Sequence, residues 1–403
     1  MEITYIIIPT FDLTDPSARV NEITNLAISA GAEVKSHMVV KVNKITPATF
    51  IGKGKIEQIK GICEELECNL VLFDGELSPS QTLNMSDALG GIKVIDRTTL
   101  ILDIFAQRAR TSEGKIQVEL AQLKHIYPRL KGKGTALSRL GGGIGTRGPG
   151  ETKLETDRRH IKKRMLYLEN KLDELEKRRA LQGERRIKNG ALKVALVGYT
   201  NTGKSTLLNA LTSSDVLAED KLFATLDPTT RKLNLKDFSV LLTDTVGFLK
   251  NIPTSLIEAF KSTLESAIEA DLILIVCDAL NDWGAQLDTT TAMLDELKAT
   301  APRLIVFNKC ESVTDFSPYP TEAVFISAKE EKGLDLLLLK IKEFFDNLYV
   351  KLNLKIEYNK TKEFFALEKY FERSSVTYTD TGIDAEVIIN RNNLSKFEQF
   401  IIK

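Results

Sequence analysis

Over the first hundred residues, short unbroken apolar runs alternate with amphipathic stretches. Ile3–Ile8 is continuously apolar, and after Asp15-Pro16 a helical rhythm continues to Ile28. Val34–Val42 reads as a second strand, Ile56–Leu66 as a helix and Leu70–Phe73 as a short strand; Gln81–Leu89 then reads as a helix and Lys93–Ile95 as another strand. Buried strands separated by helices predict an α/β domain with a mainly parallel sheet over residues 1–106.

From residue 107 the period changes. Ile116, Leu120, Leu123, Tyr127 and Leu130 recur at alternating intervals of four and three, and Ile161, Met165, Leu168, Leu172 and Leu175 repeat that rhythm. Two such seams predict an antiparallel, coiled-coil-like helical hairpin over 107–190. Pro128 should kink or end the first helix, and the second should run through Glu176 to about Arg186. The connecting stretch 139–150 holds six glycines and one proline in twelve residues, too little side chain to build a core. Asn189-Gly190 marks the next boundary. Apolar strands such as Lys193–Val197, Leu241–Thr243, Leu304–Phe307 and Ala323–Ile326 then define a domain over 191–349. A βαββα pattern closes the chain at 350–403: Leu352–Tyr358, Lys362–Glu372, Val376–Thr379, Ala385–Ile389 and Leu394–Ile402. It predicts a small α+β domain that states no chemistry.

Composition adds one decisive feature. The 403 residues carry 55 basic and 55 acidic side chains, yet residues 107–190 hold 22 Lys and Arg against 10 Asp and Glu, a surplus of 12. A phosphate-rich partner is the expected complement of that segment, with Lys131, Lys133, Arg139, Arg147, Lys153, Arg158 and Arg159 beside the glycine-rich stretch. His125 and His160, on the same hairpin, are expected to touch RNA or solvent. Cys63, Cys68, Cys277 and Cys310 match neither a metal spacing nor a disulfide framework. No run is apolar enough to span a bilayer and the N-terminus shows no secretion signal, so a cytoplasmic protein without membrane insertion is expected.

The chemistry is concentrated between Gly198 and Lys329. Strand Lys193–Val197 leads into Gly198-Tyr199-Thr200-Asn201-Thr202-Gly203-Lys204-Ser205 and a helix, the G-x-x-x-x-G-K-S loop in its strand–loop–helix context. Its backbone N–H groups and the helix N-terminus cradle phosphates, Lys204 should bridge the β- and γ-phosphates, and Ser205 should coordinate Mg²⁺. Asp244-Thr245-Val246-Gly247 follows an apolar strand; there a carboxylate can hold Mg²⁺ through water and the Gly247 N–H can sense the γ-phosphate. Between them, Phe223-Ala224-Thr225-Leu226-Asp227 and Thr229-Thr230 offer a second Mg²⁺ ligand. Thr225 is preferred, with Thr229 and Thr230 open on spacing. Asn308-Lys309-Cys310-Glu311 and Ser327-Ala328-Lys329, each ending a strand, have the character of guanine-reading loops. Glu311 is the carboxylate facing the guanine donors.

These motifs and several others resemble the HflX GTPases of the Obg–HflX group. The resemblance rests on Gln107-Arg108-Ala109, Gln117-Val118-Glu119-Leu120-Ala121, Tyr127-Pro128-Arg129-Leu130 and Gly145-Thr146-Arg147-Gly148-Pro149-Gly150-Glu151-Thr152-Lys153-Leu154-Glu155. It continues in Gly198-Tyr199-Thr200-Asn201 and Leu222-Phe223-Ala224-Thr225-Leu226-Asp227, and covers nearly the whole chain. It implies a P-loop GTPase domain with a doubly wound, mainly parallel sheet, joined to the three other domains above. It also implies binding to the large ribosomal subunit and its RNA, dissociation of stalled or idle ribosomes, and Mg²⁺ held by Ser205 and Thr225. A nucleotide-gated RNA remodeller and a regulatory GTPase of ribosome assembly are the alternatives, and a monomer off the ribosome is expected.

Three positions shape the expected mechanism. Phe248 stands where many signalling GTPases have a water-orienting Gln, so slow intrinsic turnover is expected. Asn201 is a candidate K⁺ ligand near the phosphates. Glu311 replaces the family's Asp, which leaves room for ATP beside GTP.

Overall fold

The computed structural model describes residues 2–11, 16–132, 149–188, 192–212, 223, 228–235, 239–249 and 267–400. The glycine-rich segment 133–148 and the switch residues Ala224, Thr225, Leu226 and Asp227 therefore lie outside the described residues. The chain divides into two compact units. One comprises Met1–Asp173, Glu219–Asp227 and Leu249–Thr263; the other comprises Glu174–Ala218, Pro228–Phe248 and Leu264–Lys403.

The first unit opens with β1 (Ile3–Thr10), α1 (Ser17–Ser29), β2 (Glu33–Lys41), α2 (Lys53–Glu65), β3 (Leu70–Phe73), α3 (Pro79–Ala88) and β4 (Lys93–Asp96). The strands form an all-parallel sheet in the order β2-β1-β3-β4. Tyr5, Ile7, Val71 and Phe73 pack with Ile56 and Ile59 of α2 and Met85 of α3, which is why β1 and β3 read as unbroken apolar runs. Gly52 stands at the N-cap of α2 in an extended conformation. Ser78 at the N-cap and Gln81 in the first turn form a reciprocal capping box at the start of α3, with Pro79 between them.

A further helix, α4 (Arg97–Arg108), was not legible in the periodicity. Leu100, Ile101, Leu102, Ile104 and Phe105 are all buried, and such a run does not announce a 3.6-residue period. Asp96 caps it through the Thr99 N–H at 2.9 Å and also accepts the Arg129 guanidinium at 2.6 Å. Burial alone would raise the Asp96 pKa. Hydrogen bonds from His125 and Thr99 and the Arg129 charge outweigh it and hold the carboxyl well below its usual range. Arg129 of the Tyr-Pro-Arg-Leu motif thus ties the base of the hairpin to the β4–α4 junction.

The hairpin differs from its sequence pattern in two respects. In α5 (Ser112–Ile126) the buried residues include Gln117, Val118, Leu120 and Ala121, whereas Ile116 and Leu123 are only partly covered. The helix therefore spends one face on α4 as well as one on its partner. The second helix, α6, spans Pro149–Lys188, so Pro149-Gly150 of the predicted loop are already helical; proline suits a first helical turn. Pro128 does end α5, giving way to a 3₁₀ turn over Tyr127–Gly132. On α6 the seam residue Leu168 is buried, and Ile161, Met165, Leu172 and Leu175 are less exposed than their neighbours. Arg164 grips Glu119 with two nitrogens at 2.7 and 2.8 Å, while Arg158 lies 5.1 Å over the Tyr127 ring. Moving up α5 means moving back along α6, which makes the pair antiparallel.

The second unit contains β5 (Leu192–Gly198), α7 (Lys204–Thr212), β6 (Thr229–Asn234), β7 (Ser239–Asp244), β8 (Leu272–Asp278), α8 (Trp283–Glu296), β9 (Arg303–Asn308), β10 (Val324–Phe325) and α9 (Leu334–Leu348). The sheet order is β10-β9-β8-β5-β7-β6, parallel except for β6 against β7. Strand order reverses at β5, and in open α/β sheets ligands bind beyond the strand ends at such a switch point. The phosphate loop begins there.

The C-terminal elements β11 (Tyr349–Glu357), α10 (Thr361–Ala366), β12 (Phe371–Thr379) and β13 (Gly382–Asn390) form an antiparallel sheet in the order β11-β13-β12. The helix predicted over Lys362–Glu372 ends at Ala366, and β12 starts earlier than expected. The last predicted helix is a 3₁₀ segment, Arg391–Phe400, whose Phe397 and Phe400 close the core over Ile356 and Ile383. No helix among the described residues is long and apolar enough to cross a membrane.

Candidate functional site

The site is assembled at the ends of β5, β7, β8 and β9 in the second unit. Gly198 ends β5 and Lys204 starts α7, so the loop between them wraps the helix N-terminus. Gly203 has φ +87, and a Cβ there would lie 2.3 Å from Asn308 Nδ2. Only glycine fits both demands. The Lys204 ammonium donates to the Gly198 and Tyr199 carbonyls at 3.1 and 2.7 Å. Burial pushes its pKa down to about 8, an effect that the Asp244 carboxylate opposes.

Asp244 at the end of β7 is fully buried and accepts a 2.6 Å hydrogen bond from the Ser205 hydroxyl. Two hard oxygen donors therefore meet beside the phosphate loop, the ligand chemistry suited to Mg²⁺. Thr245 is fixed to the Leu196 carbonyl by its hydroxyl at 2.7 Å, and Val246 is buried. Gly247 packs against Thr200, whose Cα would be 2.8 Å from an added Cβ. Phe248 is buried, and its backbone pairs with the phosphate loop: Thr200 N donates to its carbonyl at 2.8 Å and its N–H donates to Gly198 O at 3.0 Å. Thr229 and Thr230 belong to β6, where the Thr230 hydroxyl lies 3.0 Å from that of Thr243. The alternatives to Thr225 are thus held in a β-ladder.

The two loops expected to read the base are tied to the phosphate loop by the side chains of Asn308 and Lys309. Asn308 donates to the Thr202 carbonyl at 2.8 Å and accepts from the Ala328 N–H at 2.9 Å. Lys309, in a left-handed conformation at φ +64, donates to the Asn201 carbonyl and to Asp278, each at 2.8 Å. Cys310 N donates to Ile326 O at 3.1 Å, and the buried Ser327 accepts from Glu330 N at 3.2 Å. Glu311 and Lys329 are exposed at the rim. Among the predicted site residues, Phe223 is not in this unit. It belongs to the first, with its ring centroid 4.6 Å from that of Phe105.

Family models cover most of the chain. "GTP-binding GTPase N-terminal" matches residues 17–106, "GTP-binding GTPase Middle Region" matches 108–186, and "50S ribosome-binding GTPase" matches 193–309. The GTPase HflX of Caldanaerobacter subterraneus subsp. tengcongensis is 48% identical over 386 residues, 95% of this chain and 90% of its own length. The chain belongs to the HflX GTPase family. The Escherichia coli GTPase HflX is 43% identical over 332 residues, 80% of this chain and 78% of its own. A solved GTP-binding protein from Sulfolobus solfataricus in complex with GDP aligns over 85% of this chain and 98% of its own, at 23% identity and a TM-score of 0.47.

An HflX GTPase binds and hydrolyses GTP, and the pocket described above is where this chain carries the motifs for it. One of its residues escaped sequence reasoning. Asp278, which ends the apolar run Leu272–Cys277, receives Lys309, the Leu280 N–H and the Asn281 amide, the last two at 2.9 and 2.8 Å. A lone carboxylate at a strand end was the available signal.

Proposed function

We propose that this HflX-family GTPase binds the large ribosomal subunit in its GTP form and dissociates stalled or idle ribosomes in the cytoplasm. The observation that carries the reading is the segregation of charge. The segment 107–190, with 12 surplus positive charges, contains α5 and α6, and Arg159, His160, Lys162 and Lys163 of α6 are exposed. A cationic arm of this kind gains affinity for RNA through release of condensed counterions. The remaining charge, including the nucleotide-binding unit, offers RNA no such gain. The four-part division at 1–106, 107–190, 191–349 and 350–403 remains our reading of the domains.

In the pocket, residues 198–205 would cradle the phosphates, and Lys204, whose buried charge lacks solvation, would gain from an adjacent polyanion. Ser205 and Thr225 would hold Mg²⁺, and Asp244, which accepts from the Ser205 hydroxyl, would act on it through water. When bound, the ion neutralises charge on the phosphate oxygens. The Gly247 N–H would report the γ-phosphate. Asn308, Lys309, Cys310, Glu311 and Ser327-Ala328-Lys329 would frame the base. Phe248 has no hydrogen-bonding side chain with which to orient water, so turnover should be slow until the ribosome orders the switches. Asn201 remains a candidate K⁺ ligand, and equal rates in matched K⁺ and Na⁺ buffers would remove it.

Sucrose-gradient sedimentation of intact ribosomes tests the function. GTP or a slowly hydrolysed analogue should convert them to subunits, and GDP should not. A chain lacking 142–148 should lose the effect while still hydrolysing GTP. Unchanged profiles with GTP would favour an RNA-remodelling or assembly role instead.

A further inference from the structure

The phosphate loop carries a hydroxyl that the fold itself does not use. Thr200 is 6% exposed, and its Oγ1 is buried with no hydrogen-bond partner among the described residues. Three hydroxyls around it are spent within the protein: Thr202 donates to Tyr199 O at 3.1 Å, Thr245 to Leu196 O at 2.7 Å and Ser205 to Asp244 at 2.6 Å. Burying a hydroxyl without a partner costs stability, so an orphan of this kind inside a ligand pocket marks a group that the ligand completes.

The Thr200 side chain is also held in one place. Its backbone N–H donates to Phe248 O at 2.8 Å and Phe248 N donates to Gly198 O at 3.0 Å, which locks the loop to the turn after β7 at this residue. A Cβ added at Gly247 would lie 2.8 Å from Thr200 Cα, 2.9 Å from its Cγ2 and 3.1 Å from Lys204 Nζ. The Thr200 methyl therefore rests on Gly247 beside the Lys204 ammonium, and the hydroxyl branches from the same carbon as that methyl. Gly247 and Lys204 are the groups expected to meet the γ-phosphate.

We infer that the Thr200 hydroxyl donates to a γ-phosphate oxygen and makes this residue a determinant of GTP over GDP. The backbone N–H groups of the loop and of the α7 N-terminus serve phosphates that both nucleotides share. A donor that reaches only the third phosphoryl group discriminates between them, and its bond to an anionic oxygen is stronger than a neutral one. This rests on the reading of the Gly247 turn as the γ-phosphate sensor.

The test compares affinities of the full chain, with Mg²⁺, for a non-hydrolysable GTP analogue and for GDP. Thr200→Val keeps the shape and loses the hydroxyl. It should lower analogue affinity about tenfold, the worth of one hydrogen bond to a charged group, at parental GDP affinity. Thr200→Ser keeps the hydroxyl and should hold the parental analogue-to-GDP ratio. A thermal melt without nucleotide supplies a readout that a structural role would move the other way. Removing an unpaired buried hydroxyl should leave Thr200→Val melting at or above the parent's temperature. An unchanged ratio in Thr200→Val, an equal loss for GDP, a Thr200→Ser chain as defective as Thr200→Val, or a Thr200→Val melt below the parent's would overturn the inference. Gly247→Ala separates it from the reading beneath it. If Gly247→Ala loses the ratio while Thr200→Val keeps it, only the hydroxyl assignment fails; if neither changes, the γ-phosphate lies elsewhere and both fail.

Discussion

Replacing Asn308 with alanine removes a side chain that joins the phosphate loop to both base-side loops. Asn308 is 3% exposed, and it makes two neutral hydrogen bonds, to Thr202 O at 2.8 Å and from Ala328 N at 2.9 Å. Each such bond contributes about 1 kcal/mol net, and a buried group left without its partner costs about 1–3 kcal/mol. If one of the two backbone groups recovers a water, the cost of holding the pocket in its binding geometry is about 2–4 kcal/mol. At 1.4 kcal/mol per decade, GDP affinity should fall by about one and a half to three decades. Titration with a fluorescent guanine nucleotide measures this, and a thermal melt without nucleotide shows whether the chain still folds. Asn308→Asp should be as damaging, since it keeps the acceptor for Ala328 but turns a carboxylate oxygen towards the Thr202 carbonyl. A folded Asn308→Ala chain with parental GDP affinity would refute the idea that this brace preorganises the pocket.

Other expectations follow from single contacts. Gly203→Ala should abolish nucleotide binding, because its Cβ would meet Asn308 Nδ2 at 2.3 Å from a backbone at φ +87; isothermal titration checks this. Asp96→Asn should destabilise the first unit by about 3 kcal/mol near neutral pH, the cost of breaking a buried ion pair. The folded-state pKa of Asp96 is depressed, so its contribution is present above the ordinary carboxylate range and is lost as pH falls below about 4. Melting temperatures of parent and variant should therefore converge in acid, and a constant gap down to pH 3 would contradict that sign. Glu311→Asp should raise the preference for GTP over ATP in competition binding, since Glu311 is exposed at the rim with one methylene more than the family's residue. No change would remove the base-reading role.

Much of this architecture was legible in the sequence because its signals are local. The phosphate loop, the Asp244 turn and the Asn308 turn each follow a strand whose apolar run identifies it. The hairpin seams were visible because leucines recur along a helix. What escaped depends on contacts distant in sequence. The α4 helix is buried almost all round, so its pattern has no period to read. The second face of α5 shows only once α4 is in place. Asp278 gains its role from Lys309, 31 residues away. The burial of Phe223 depends on Phe105 more than a hundred positions earlier, and no local signal marks a phenylalanine that will adopt a positive φ. In the C-terminal domain, amphipathic spacing suggested an α-helix where the chain forms a 3₁₀ segment, since short segments of either kind can bury the same phenylalanines.

The most direct test of the account is the affinity of the chain for isolated large ribosomal subunits in three nucleotide states, measured by co-pelleting at fixed salt. Binding at least about tenfold tighter with a GTP analogue than with GDP or no nucleotide is the predicted result, since a switch must supply at least 1.4 kcal/mol of coupling to matter. Equal retention in all three states would contradict the claim that the triphosphate pocket governs how the cationic hairpin grips RNA.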